Sequence, residues 1–258
     1  MLEDKARRRN GRPVKTPAFK SWLDAVLSFF YPEACQICGV ARARPDEGYV
    51  CAACAAKVEY IEPPFCERCG RPVAGDVTGI FECAQCRETP RPFEYARAAV
   101  KSGGLALDVI HRYKYQRALW FEPFLAGLLV TRAVPMLAAG EWNLIVPVPL
   151  HPVKEREREF NQAERLGRFL GRETGIPVNA GLVRRVKQTQ TQTRLTRAAR
   201  AENLQGAFKK RAKMELHGER VVLVDDVLTT GATAGECAKE LRRMGAGAVC
   251  VWTVARGV

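Results

Sequence analysis

Near the C-terminus, a buried-strand pattern is followed directly by two acids and a short loop rich in hydroxyl groups. Residues 221–224 are four apolar residues in a row, Asp225 and Asp226 follow, and residues 229–233 precede a helical pattern. A loop that leads into a helix presents free backbone N–H groups, which stabilise a phosphate. Carboxylates at the carboxyl end of a parallel strand can accept hydrogen bonds from ribose hydroxyls. The run therefore predicts a sugar-phosphate site.

This run resembles the signature of the type I phosphoribosyltransferases, which bind 5-phosphoribosyl-1-diphosphate. The resemblance implies that Asp225 and Asp226 are catalytic residues that contact the ribose. It also implies that the loop binds the 5-phosphate through Thr229, Thr230, Gly231, Ala232 and Thr233. The alternative is an ordinary strand, turn and helix whose polar residues only cap and turn the chain. Two adjacent acids behind a buried run are uncommon in a purely structural connection, which favours the phosphoribosyl interpretation.

The elements that must position these residues alternate between strand and helix from residue 92 onward. This alternation predicts an α/β domain with a mainly parallel sheet. Residues 144–149 predict a strand that leaves into a loop, because Pro149 cannot continue a central ladder. Residues 121–134 predict a helix, with Pro135 beyond its end. Residues 248–254 predict the final strand, which closes the sheet.

A second candidate loop, residues 151–162, follows the strand predicted at residues 144–149 and is dense in cations. In a phosphoribosyltransferase a second loop must hold the leaving diphosphate, and cationic donors stabilise the charge on the departing oxygen. The candidate diphosphate ligands are His151, Arg156 and Arg158, together with Lys114 at the end of an earlier helix. The alternating charges are also compatible with a solvated helix whose side chains pair at i,i+4.

Eight of the ten cysteines form four CxxC pairs, and two such pairs complete a tetrahedral zinc site. The pairs are Cys35 and Cys38, Cys51 and Cys54, Cys66 and Cys69, and Cys83 and Cys86. A Cys-x-x-Cys-Gly repeat at residues 35–39 and 66–70 favours sequential pairing around two structural zinc ions, although the spacing leaves a crossed pairing open. Disulfides and redox-active dithiols are the alternatives, and the lack of a secretory signal disfavours disulfides. Cys237 and Cys250 lie in apolar periodic stretches, which indicates core positions.

Almost the whole chain after residue 20 is similar to the ComF family, whose members join cysteine-rich zinc ribbons to a phosphoribosyltransferase-like domain. The similar blocks are residues 22–39, 114–115, 146–151 and 158–162, then Gln192, Arg200, Asn203 and residues 207–208. The resemblance implies a Rossmann-like type I phosphoribosyltransferase domain that transfers the phosphoribosyl group to a nitrogen acceptor, which no residue identifies. It also implies magnesium with phosphoribosyl diphosphate, and a link to DNA uptake during natural transformation.

One residue departs from the family pattern within the second loop. The family usually has glycine where this chain has Glu159, which adds a negative side chain beside the proposed diphosphate site. An outward rotamer, or a pairing with Arg156, would neutralise its effect on an anionic ligand.

The composition and the order of these segments predict three parts. Residues 1–20 form a basic disordered tail, residues 21–90 an amphipathic helix and a double zinc ribbon, and residues 91–258 the phosphoribosyltransferase-like domain. The basic residues 183–200 predict a flap with its tip at residues 189–193, which either covers the substrate or binds nucleic-acid phosphates. We find no secretory signal and no apolar stretch long enough to cross a bilayer, so we expect a soluble cytoplasmic protein.

The formal net charge of +13 indicates attraction to polyanions. The alternative to an enzyme is therefore a non-catalytic protein that binds single-stranded DNA, or that senses phosphoribosyl diphosphate without turning it over. Single-stranded DNA and the DNA-uptake machinery are the candidate partners in that case. Salt-dependent DNA binding and substrate-dependent release of diphosphate distinguish these alternatives.

Overall fold

The computed structural model of the chain describes residues 33–77, 79–188, 204–211 and 214–257. The predicted basic tail, the amphipathic helix before residue 33 and the predicted flap tip at residues 189–193 lie outside the described residues. The strands in chain order are β1 Ala96–Lys101, β2 Leu144–Pro147, β3 Val183–Arg185, β4 Phe208–Lys210, β5 Arg220–Leu228 and β6 Ala248–Arg256. The helices are α1 Ala52–Ala55, α2 Ala84–Glu88, α3 Gly104–Tyr115, α4 Glu122–Ala138, α5 Pro152–Arg158, α6 Gln162–Thr174 and α7 Ala232–Arg243.

The central sheet contains four parallel strands in the order β1-β6-β5-β2. The two middle strands are apolar at consecutive positions because helices cover both of their faces. One face packs against α3, α4 and α6 through a core that includes Leu129, Leu166 and Trp252. The other face packs against α7 and the β3–β4 hairpin through a core that includes Leu223 and Leu241. This architecture confirms the predicted fold class, an α/β domain with a parallel sheet behind a cysteine-rich double ribbon.

Helix α4 is longer than the sequence predicted. It continues through Pro135 to Ala138, so the expectation that the helix ends before that proline was wrong. A proline removes one helical hydrogen bond. The burial of Leu137, which is 2 % exposed, compensates for that loss by packing the last turn into the core.

With the 3-10 turn before it, α4 forms a 20-residue run, Leu119–Ala138, with a mean hydropathy of 1.3. By length and composition this run is long enough to cross a membrane, which corrects the expectation that no stretch approaches that length. Half of the run is buried inside the protein, where Leu125 and Leu129 pack into the core. A core helix satisfies the same criteria of length and composition.

The two ribbons lie along one side of the α/β domain. Residues 59–61 pair with the free edge of β1: Lys101 donates its N–H to the Glu59 carbonyl at 2.8 Å, and Ile61 donates to the Ala99 carbonyl at 3.0 Å. The first ribbon also packs on α4, where Gly48 approaches the backbone of Phe124 so closely that a Cβ would lie 2.7 Å from its nitrogen. The ribbons thus cover an edge that would otherwise expose unpaired backbone groups.

Candidate phosphoribosyl site and two cysteine centres

Two groups of four cysteine sulfurs lie close enough together for each group to bind one metal ion. The groups are Cys35, Cys38, Cys51 and Cys54, and Cys66, Cys69, Cys83 and Cys86. Within each group all sulfur atoms lie within 4.8 Å of one another. Four thiolates complete tetrahedral zinc coordination and leave no open position, so both groups fit structural zinc sites. The sequential pairing is confirmed, and all ten cysteines, which lie within the described residues, are free of disulfides.

The two centres repeat one backbone geometry. The first cysteine of each group, Cys35 or Cys66, accepts an N–H at 3.3 Å from the third cysteine of its group. Burial raises the pKa of these thiols, but the surrounding backbone N–H groups lower it more, to about 6 for Cys35 and about 7 for Cys66. The glycines that end the knuckles, Gly39 and Gly70, have φ values of +69° and +64°, a region that favours glycine. The donor set therefore suits zinc, which binds thiolates.

The loop after β5 forms the N-terminus of α7. Gly231 is the N-cap residue, with φ of +78°, and the Ala232 N–H donates to the Thr230 hydroxyl at 3.3 Å. Within the described part of the chain, the amides of Thr230 and Gly231 have no backbone acceptor. Free N–H groups thus lie at the positive end of a helix of 12 residues. This geometry is suited to a phosphate, as the sequence predicted.

The two aspartates at the end of β5 point to opposite faces of the sheet. Leu223 belongs to the core beneath α7, whereas Val224 belongs to the core beneath α4 and α6. Since successive side chains of a strand alternate between faces, Asp225 lies on the α7 side and Asp226 on the other side. The two carboxylates therefore have different environments, although the sequence offered no reason to separate them.

Asp226 forms a buried ion pair. Its side chain is 5 % exposed, and its Oδ2 lies 2.5 Å from Nζ of Lys114, which is 16 % exposed. Its Oδ1 accepts the N–H of Val227 at 2.7 Å. Lys114 comes from the last turn of α3, so the predicted phosphoribosyl-site lysine does reach the acidic pair. In this arrangement the Asp226 carboxylate is already bound by the protein.

Asp225 is half-buried and lies among three cations. Burial raises its pKa to about 6, although Lys114, Arg185 and Arg158 act in the opposite direction. Burial lowers the pKa of Lys114 to about 8; Asp225 opposes this shift and Arg158 adds to it. Three cations that act on Asp225, set against the two carboxylates of Asp225 and Asp226, leave a net positive charge, which attracts an anionic diphosphate.

The second predicted loop is held by amide side chains. Asn161 caps α6 by accepting the N–H of Ala163 at 3.0 Å, and its own amide donates to the Val148 carbonyl at 3.1 Å. Arg158 donates to Gln162 Oε1 at 2.9 Å. The Asn–Gln pair thus orients Arg158 and anchors the loop to the strand end. Of the cations predicted within residues 151–162, Arg158 is the one that acts electrostatically on Asp225.

Glu159 points away from the site. It ends α5 with φ of +67°, which explains why glycine suits this position. Its side chain is 64 % exposed, and its carboxylate pairs with Arg117 at 2.9 Å. Of the alternatives that the sequence left open, the structure has the outward orientation, and the ion-pair partner is Arg117 rather than Arg156. Its charge therefore does not oppose an anion near Asp225.

The other two predicted ligands of this loop, His151 and Arg156, occupy different places. His151 caps α5, where its Nδ1 accepts the N–H of Val153 at 3.3 Å. It also lines a cavity of about 630 Å³ with Arg184, Arg185 and Arg211 of the hairpin region. Arg156 is exposed and lines neither this cavity nor the surroundings of Asp225. The aspartates do not line the 630 Å³ cavity either.

Three arginines near the site were not among the predicted ligands. Arg185, on β3, acts electrostatically on Asp225. Arg91 lies beside the phosphate loop, since a Cβ at Gly231 would be 3.6 Å from its Nη1. Arg256 ends β6 and is 4 % exposed. The sequence contains a signal for Arg256, which comes at the end of a buried apolar strand. A charged side chain there must find partners at the sheet edge that also holds Asp225.

Comparisons with known proteins find a matching domain family, related sequences and a distant structural neighbour. Residues 26–87 match the double zinc ribbon domain family. The chain is 32 % identical over 212 residues to Competence protein F of Haemophilus influenzae, covering 80 % of this chain and 90 % of that protein. It is 31 % identical over 228 residues to DNA utilization protein YhgH of Salmonella typhimurium, covering 87 % and 97 %. A purine phosphoribosyltransferase structure from Pyrococcus horikoshii Ot3 is 18 % identical, with a TM-score of 0.33, over 52 % of this chain and 83 % of that one. A structural likeness this distant does not extend to site residues.

Proposed function

We propose, from the premise that this chain belongs to the ComF family, that it binds 5-phosphoribosyl-1-diphosphate and transfers the phosphoribosyl group to a nitrogen acceptor. The observation that carries the proposal is the position of Asp225, which follows the buried apolar residues of β5 next to the Lys114–Asp226 ion pair, within electrostatic range of Arg158 and Arg185, and before a loop with free amides. The amides suit the 5-phosphate, the carboxylate suits the ribose hydroxyls, and the cations suit the diphosphate. One edge of the sheet thus offers a partner for each part of the ligand.

The reaction is a substitution at the anomeric carbon. The nitrogen nucleophile forms a bond to that carbon, the bond to the diphosphate oxygen breaks, and the nitrogen releases its proton. Positive charge develops on the sugar, which the Asp225 carboxylate stabilises, while the three cations stabilise the departing diphosphate. Asp225 also provides the hard oxygen that Mg²⁺ prefers, and the ion would neutralise diphosphate charge.

The two aspartates have different roles in this proposal. Asp225, half-buried and ionised above a pKa of about 6, contacts the ribose directly. Asp226 holds the Lys114 ammonium at 2.5 Å and so positions this cation. Asp225→Asn should therefore abolish binding, whereas Asp226→Asn should weaken it by releasing Lys114. Equal affinity of Asp225→Asn and the wild-type protein would contradict the role of Asp225.

The experiment that tests the function is a calorimetric titration with phosphoribosyl diphosphate and magnesium, followed by a screen for diphosphate release across nucleobases and amines. We expect binding, and release of diphosphate with one class of acceptor. The Asp225→Asn variant is the control for release unrelated to the site. Binding without release in the whole screen would indicate a ligand-sensing protein, and no binding would refute the proposal.

A second candidate function is binding of single-stranded DNA. A cavity of about 390 Å³ between the second ribbon and α7 has five cationic side chains in its lining, Arg68, Arg91, Lys239, Arg242 and Arg243. Relatives are named as competence and DNA utilization proteins, which favours a role in DNA uptake. The affinity for a single strand should fall steeply with salt concentration, because phosphate contacts release counterions. A salt-independent affinity, or none, would remove this candidate.

We also propose that the protein acts in the cytoplasm. Its ten cysteines are free, and unpaired thiols persist in a reducing compartment. Fractionation of cells that produce the full-length protein tests this proposal. Recovery with the membranes, which the run Leu119–Ala138 would permit by its length and composition, would contradict it.

A further inference from the structure

A buried arginine connects the second cysteine centre to the phosphate loop. Arg256, the last residue of β6, is 4 % exposed. Its Nε donates to the Cys69 carbonyl at 3.1 Å, and its Nη2 lies 3.8 Å from the Cys69 sulfur. Its Nη1 donates to the Leu228 carbonyl at 3.0 Å, to the Thr229 carbonyl, and to the Gly257 carbonyl at 2.7 Å. One guanidinium therefore contacts a zinc-ligand residue and the start of the loop.

These contacts determine which way the loop amides point. In a planar trans peptide, the carbonyl and the following N–H point in opposite directions. When Arg256 holds the carbonyls of Leu228 and Thr229, it directs the N–H groups of Thr229 and Thr230 away from itself. The Thr230 amide has no backbone acceptor within the described residues. The orientation of a phosphate-binding amide thus depends on Arg256.

The second ribbon also faces the loop. A cavity of about 460 Å³ separates them, and both sides contribute to its lining, with Gln85, Thr89 and Arg91 from the ribbon side and Thr230, Gly231 and Ala232 from the loop. The first ribbon instead packs on α4 through Gly48 and Phe124. The two centres are alike in chemistry, but the described contacts connect only the second one to the loop.

We propose that Arg256 is a positioning residue that makes phosphate binding by the loop depend on an intact second cysteine centre. The proposal rests on the proposed function and names a role that the ribbon would have in it. Disruption of the second centre releases the Cys69 carbonyl, frees the Arg256 side chain, and lets the Thr229 peptide rotate. The Leu228 carbonyl keeps a second donor, the Gly257 N–H at 2.9 Å. Disruption of the first centre leaves these contacts in place.

Two matched cysteine variants of the full chain test this dependence. Cys38 and Cys69 occupy the same position in their knuckles, and Cys38→Ser and Cys69→Ser should each remove one zinc. We expect Cys69→Ser to weaken phosphoribosyl diphosphate binding about tenfold or more, the loss of roughly one charged hydrogen bond, and Cys38→Ser to leave it unchanged. Equal weakening by both variants, or by neither, would overturn the proposal.

Variants of the arginine itself test the geometric role. Arg256→Met should weaken binding to the same extent as Cys69→Ser, and the double variant should be no weaker than either alone, because both break one connection. Arg256→Lys keeps the charge but lacks the planar guanidinium that contacts both Cys69 and the loop carbonyls. It should therefore also bind phosphoribosyl diphosphate weakly. Wild-type affinity of Arg256→Lys would show that charge alone suffices and would refute positioning. Arg168→Met, an exposed arginine on α6, is the control.

Hydrogen exchange without ligand separates this proposal from the proposed function. The amides that the loop does protect are those of Gly235, which donates to the Gly231 carbonyl at 2.8 Å, and Gly257, which donates to the Leu228 carbonyl at 2.9 Å. Both should exchange faster in Cys69→Ser and Arg256→Met than in wild type or Cys38→Ser. If the wild-type protein fails to bind phosphoribosyl diphosphate, the proposed function is wrong, yet the exchange rates still report the connection. If Arg256→Met does not fold, the comparison of the two cysteine variants decides. Unchanged exchange rates in Cys69→Ser would refute the proposed connection between the second cysteine centre and the loop.

Discussion

Replacement of Lys114 by methionine removes the central cation of the site. Its Nζ lies 2.5 Å from Asp226, and the two side chains are 16 % and 5 % exposed. Removal of one partner of such a buried pair costs about 3–5 kcal/mol, because it leaves an uncompensated buried charge. Lys114 also lowers the pKa of Asp225, so a second carboxylate loses its partner. We expect a loss of unfolding free energy toward the upper end of that range.

The assay is denaturant and thermal unfolding at several pH values. In a domain of this size, about 1 kcal/mol shifts Tm by about 2–4 °C, so Lys114→Met should lower Tm by roughly 6–20 °C. The pKa of Asp225 is raised to about 6 and rises further without Lys114, so protonation of Asp225 at low pH removes one of the two carboxylate charges that lose their partner. The loss should therefore shrink as pH falls from 8 to 5.

The control is Lys154→Met, which removes a more exposed pair with Glu157 and should cost at most about 1 kcal/mol. A cost for Lys114→Met as small as that of the control would refute the reasoning. A cost that does not change between pH 5 and pH 8 would refute it equally.

Three other predictions concern pH, metal and a backbone position. Calorimetric affinity for phosphoribosyl diphosphate should rise as pH passes about 6, where Asp225 loses its proton. It should fall above about 8, where Lys114 loses its proton. An affinity that does not change with pH would contradict the binding roles of both residues. Elemental analysis should find two zinc ions per chain, one for each group of four cysteines, and a zinc-free purified protein would reverse that assignment. Glu159→Gly should stabilise the protein by about 1 kcal/mol, because φ of +67° favours glycine and the exposed pair with Arg117 contributes little. Urea midpoints would measure this, with Glu155→Gly inside α5 expected to destabilise; a lower midpoint for Glu159→Gly would count against the explanation.

Features that depend on local chain geometry could be predicted well. The four CxxC pairs and the repeated glycine predicted two zinc centres, because a knuckle places both of its thiols on one side. The apolar run before Asp225 predicted a strand covered on both faces, and the loop after it predicted a helix start. Helix α4 was predicted too short at Pro135, because the burial of Leu137 outweighs the lost hydrogen bond, and a local pattern does not contain that burial.

The sequence alone determined the chemistry available at the edge of the sheet: two acids, a phosphate-type loop, a basic second loop and eight paired cysteines. The tertiary structure decided which of these groups act on one another. Strand alternation sends Asp225 and Asp226 to opposite faces, and the strand order β1-β6-β5-β2 allows Lys114 to reach Asp226. The contact between Arg256 and Cys69 joins residues 187 positions apart. Such contacts arise from packing between distant elements, and a linear sequence encodes that packing only through the whole fold.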